Sequence, residues 1–61
     1  MPSSRDLLRE VQADGWFFVG AEGSHHHFKH SEKPGKVTVP HPVKDLHPKT
    51  VKAIRKQAGL D

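Results

Sequence analysis

Leu7, Leu8 and Val11 recur at helical spacing in an otherwise polar segment, so they line one side of a helix. Ser3 or Ser4 can accept a hydrogen bond from a free backbone N–H at its start. Asp6, three residues after Ser3, makes a variant of the capping box and places negative charge in the first turn. Gly15 supplies a C-terminal stop, which predicts a first helix over residues 4–14. Extended segments are expected at 16–21, 25–30 and 36–40. Glu22-Gly23-Ser24 is short enough for a hairpin, and Pro34-Gly35 is a turn signal. Val37-Thr38-Val39 alternates like a half-buried strand, and Pro40-His41-Pro42 ends it because proline removes a backbone donor. Pro48 suits a first helical turn, Val51, Ile54 and Ala58 share a face, and Gly59 closes a second helix over 48–58. The order α-β-β-β-α predicts one α+β domain over 1–61. Its antiparallel three-stranded sheet carries both helices on one face and leaves the other open as a working surface.

Composition narrows the function. At 61 residues, folding buries only about 60% of the surface of the unfolded chain, so the core is small, and at least two of Trp16, Phe17 and Phe18 are expected in it. Without cysteine, neither a disulfide framework nor a Cys-based zinc site is available, and a reducing cytoplasm suits the chain. The longest apolar run, Trp16-Phe17-Phe18-Val19, is far short of the roughly 18 residues that span a bilayer, and no signal-peptide pattern opens the chain. The expectation is a soluble cytoplasmic protein with no membrane contact. Ten Lys and Arg against seven Asp and Glu give a net charge of +3, which favours a polyanionic partner.

The unusual feature is Gly23-Ser24-His25-His26-His27-Phe28-Lys29-His30. Its internal position argues against an affinity-tag remnant. Strand alternation sends His25 and His27 to one face and His26 and His30 to the other, so they do not converge on one ion, and no metal is expected. The plainest reading is ordinary polar strand residues beside Phe28. Against it stands the setting of His25, just after a Gly-Ser turn at a strand start and expected to be surrounded by Lys29, Lys33 and Lys36. A neutral imidazole there can take the proton from a ribose 2′-hydroxyl as it attacks the adjacent phosphate, while lysines offset transition-state charge. Lys29, Lys33, Lys36 and His27 are the candidate RNA contacts, His27 lying beside His25 on the same face and able to share the proton traffic. Stacking of bases on the aromatic residues, and phosphate contacts from Lys49, Lys52, Arg55 and Lys56, are weaker candidates.

Gly15-Trp16, Gly23-Ser24-His25-His26, Phe28-Lys29-His30, Val37-Thr38-Val39-Pro40-His41-Pro42, Lys44-Asp45-Leu46 and Lys56-Gln57-Ala58-Gly59-Leu60 together resemble the HicA toxins across nearly the whole chain. The resemblance implies a double-stranded-RNA-binding-domain-like fold, metal-independent cleavage of mRNA, no cofactor, and neutralisation by a HicB antitoxin. It places the essential histidine after the Gly-Ser turn, at His25, and carries no role over to His26. Position 20 departs from the pattern, holding glycine where many members of the family have a basic residue. Two other functions remain open: a non-catalytic RNA-binding module of the same fold, and a histidine-rich metal-binding domain.

Overall fold

The computed structural model describes residues 2–61 as α1 (Ser4–Ala13), β1 (Phe17–Glu22), β2 (His25–Lys29), β3 (Val37–Pro40) and α2 (Pro48–Gln57). The expected elements form, with ends displaced by a residue or so. β1 begins at Phe17 rather than Trp16, and β2 stops at Lys29 because His30 turns inward. The three strands pair antiparallel in the order β1-β2-β3.

Both helices stop by the same device. Gly15 (φ +107°) follows α1 and Gly59 (φ +69°) follows α2, each in the left-handed region that glycine enters without a Cβ penalty. After α1, Gly15 N–H donates to the Gln12 carbonyl and Trp16 N–H to that of Val11; after α2, Gly59 donates to Lys56 and Leu60 to Arg55. These pairs satisfy carbonyls that a helix end leaves free, and they turn Trp16 and Leu60 back toward the core. At the other end of α1, Ser3 and Asp6 form the complete capping box. α2 is capped by His47, whose ring accepts from Lys49 N–H at 3.1 Å.

Leu7 and Val11 of α1, Val51 and Ile54 of α2, Phe28 of β2 and Val37 and Val39 of β3 pack together with Trp16, Leu46 and Ala58. The pairings Phe28↔Val37 and His26↔Val39 put these four side chains on the helix-covered face, and the intervening His25, His27 and Thr38 on the open one. Of the three aromatic residues at 16–18 only Trp16 is core; Phe17 and Phe18 are each about half exposed. The expectation of two buried fails because neither helix packs closely over β1. The helices pack chiefly on β3 and on each other, so Phe18 meets Phe28 edge-on but is left uncovered beyond it. Arg55 joins the helices through a two-pronged pair with Glu10, at 2.9 and 2.8 Å. Among the described residues no helix is long and apolar enough to cross a membrane.

Candidate active site

The six histidines have been sorted by their surroundings. His30, just past β2, is structural: its side chain is 7% exposed. Its Nδ1 accepts from Glu32 N–H (2.9 Å) and Lys33 N–H (3.1 Å), so Nε2 carries the proton and donates to the Asp14 carbonyl at 2.8 Å. The ring also meets Trp16 edge-on. His47 is the α2 cap. His41 bonds through Nδ1 to the Ser4 hydroxyl at 2.7 Å. Buried Ser4 also exchanges hydrogen bonds with the Val43 backbone, clasping the start of α1 to the loop after β3. His26 lies on the helix side of the sheet, edge-on to His41 and tilted against Phe18.

Two histidines remain on the open face. His25 leads β2, opposite Glu22 on β1 and Pro40 on β3. It is exposed, and among the described residues its ring alone of the six has neither a hydrogen bond nor an aromatic neighbour. A general base needs such freedom, since its ring nitrogen must reach the substrate proton. The turn that delivers it is anchored by His41 N–H donating to the Ser24 carbonyl at 2.8 Å. His27 is held instead: Nδ1 lies 2.9 Å from the Thr38 hydroxyl and Nε2 3.2 Å from a carboxylate oxygen of Glu22.

The three lysines do not surround His25. β2 runs from His25 to Lys29, which sets them roughly 13 Å apart along the strand on the same open face. Lys36 precedes β3 at that far end and is exposed. Lys33 is committed elsewhere: its Nζ bonds to Asp14 at 2.5 Å and to the Ala58 carbonyl at 3.0 Å, tying the β2–β3 loop to both helix ends. Sequence proximity gave no hint of this, because the partners lie 19 and 25 residues away. The hydrogen bond from Lys33 holds the Asp14 carboxyl below its ordinary value despite some desolvation, and Arg55 does the same for Glu10. Among the described residues no three His, Cys, Asp or Glu side chains are grouped to hold a metal ion. Alternation along β2 is the reason, since it places His26 on the face opposite His25 and His27.

The sequence matches the family model of the HicA toxin of bacterial toxin-antitoxin over residues 4–60. None of the curated proteins matches it. Among solved structures, a chain of a toxin-antitoxin complex from Streptococcus pneumoniae is similar at 29% identity and a TM-score of 0.78, covering 95% of this chain and 97% of that one.

Proposed function

The chain belongs to the HicA toxin family, and from that premise we propose that it is the toxin of a toxin-antitoxin pair and acts as a metal-independent endoribonuclease on mRNA, with His25 as general base. The observation that carries this reading is the isolation of His25: a free imidazole at the head of a strand, on the sheet face the helices leave open. Neutral His25 takes the 2′-hydroxyl proton while that oxygen attacks the neighbouring phosphorus. Breaking the bond to the 5′-oxygen then leaves a 2′,3′-cyclic phosphate and a 5′-hydroxyl. Proton transfer from the reacting hydroxyl to a positioned side chain supplies about 10²- to 10⁴-fold, and the scheme calls on no metal or organic cofactor.

RNA lies along the open face in this reading, with Lys29 and Lys36 meeting phosphate beyond the cleavage point and His27 beside it. Lys33 serves the fold. A HicB-type antitoxin neutralises the protein by covering this face and the adjoining edge of β1, where Phe17, Phe18 and Val19 are each about half exposed. The similarity to a chain from a toxin-antitoxin complex supports a protein partner. Acting on mRNA places the protein in the cytoplasm.

The test is incubation of purified protein with RNA in EDTA. Shortened products ending in cyclic phosphate are expected. RNA that is bound yet stays intact would overturn the enzymatic reading and leave the non-catalytic RNA-binding module in its place.

A further inference from the structure

Cleavage by this route moves two protons, and a single base accounts for one. The departing 5′-oxygen is a poor leaving group unless it is protonated as its bond to phosphorus breaks. The donor must reach that oxygen while the base reaches the 2′-oxygen on the opposite side of the same phosphorus, which confines the two groups to within about 10 Å of each other.

Few groups meet that condition. His26 faces the helix side, against Phe18 and His41, and His41 is bonded to Ser4. Lys29 lies too far along the strand, roughly 13 Å from His25. Glu22 sits opposite His25 but is an acceptor when ionised. His27 remains. Two residues on from His25 and on the same face, it stands roughly 7 Å away along the strand.

We propose that His27 is the general acid of the reaction, donating its Nε2 proton to the leaving 5′-oxygen, with Thr38 and Glu22 as its positioning residues. The proposal rests on the nuclease reading above. Each ring nitrogen of His27 faces an oxygen able to accept, the Thr38 hydroxyl at Nδ1 and the Glu22 carboxylate at Nε2, so the doubly protonated ring from which an acid must start is fully hydrogen-bonded. The two partners differ in mobility. Thr38 pairs with His27 across β2 and β3 on the same open face, and its hydroxyl, 2.9 Å from Nδ1, fixes the ring plane. The Glu22 side chain is 86% exposed and can swing into water, releasing the Nε2 proton to an incoming phosphate ester. The balance closes: the 2′-oxygen to phosphorus bond forms as His25 gains a proton. The phosphorus to 5′-oxygen bond breaks, and its electron pair takes the proton of His27. Exchange with water then resets both rings.

The test uses RNA with a single 5′-bridging sulfur at the cleaved position, whose thiolate leaves without protonation. His27→Gln keeps a polar side chain in the cage and guards against misfolding, with His27→Ala beside it. On ordinary RNA both should lose about 10²- to 10⁴-fold in rate, and on the 5′-thio substrate both should return to near the parent rate. Thr38→Val should show a smaller loss and the same recovery, which a merely structural role would not give. His25→Ala should stay slow on both. His27 variants as fast as the parent on ordinary RNA, or equally slow on both substrates, would overturn this inference while leaving the nuclease reading standing. A parent protein that cleaves neither substrate would overturn that reading and the inference with it.

Discussion

Replacing His25 and His30 separately by alanine should split activity from stability, although both belong to the same histidine-rich segment. The His25 ring is exposed and makes no hydrogen bond among the described residues, so its loss should change stability by no more than about 0.5 kcal/mol. In a domain this small, 1 kcal/mol moves Tm by roughly 4–8 °C, so the shift should stay under about 4 °C. Cleavage should fall about 10²- to 10⁴-fold. His30→Ala removes three hydrogen bonds, to Asp14, Glu32 and Lys33, and an edge contact with Trp16. At about 1 kcal/mol per bond the loss is on the order of 3 kcal/mol before any cavity is counted. A 61-residue chain has roughly 3–9 kcal/mol in all. Tm should drop by more than about 10 °C, and the fraction still folded should cut RNA at the parent rate. Thermal melts by circular dichroism and initial cleavage rates on the same samples measure both effects. A His25→Ala protein whose lost activity tracks lost structure, or a His30→Ala protein that melts like the parent, would refute the reasoning.

Lys29→Ala should weaken RNA binding and flatten the slope of log affinity against log salt by roughly 0.7, the value for one phosphate contact on a single strand. Lys33→Ala should leave that slope alone and lower Tm instead, because its ammonium group holds Asp14 and the Ala58 carbonyl. Asp14 and Glu10 titrate below their ordinary values in the folded protein, through hydrogen bonds from Lys33 and Arg55 respectively. The stability this gives is present in full above the unfolded-state values and lost as pH falls through the folded ones. Melts should therefore be flat in this respect near neutrality and decline below about pH 4, less so in Asp14→Asn. Gly15→Ala should destabilise by more than about 1 kcal/mol, since its Cβ would lie 2.8 Å from His30 Nε2 at a φ of +107°. Hydrogen exchange with a HicB-type antitoxin bound should show protection on β1 and β2; protection confined to α1 and α2, with the His25 end still open, would refute masking of the site.

Local rules carried the elements. A Ser-x-x-Asp cap, two glycines at helix ends, a Pro-Gly turn and the period-two run Val37-Thr38-Val39 depend only on neighbouring residues, so the α-β-β-β-α order was legible in the chain. So was the placement of His25, since a Gly-Ser turn and a strand start are local features and alternation sets its face. What the histidines and lysines do was not legible. Six histidines and three neighbouring lysines look alike along the chain, but a hydrogen-bond partner is chosen by which backbone passes nearby after packing. His41 meets Ser4 across 37 residues, Lys33 meets Ala58 across 25, and His27 meets Thr38 across 11. The exposure of Phe17 and Phe18 was equally hidden, because hydrophobicity says a side chain gains by burial but not whether a helix reaches the strand that bears it. The helices pack chiefly on β3 and on each other, and β1 is left as an open apolar edge.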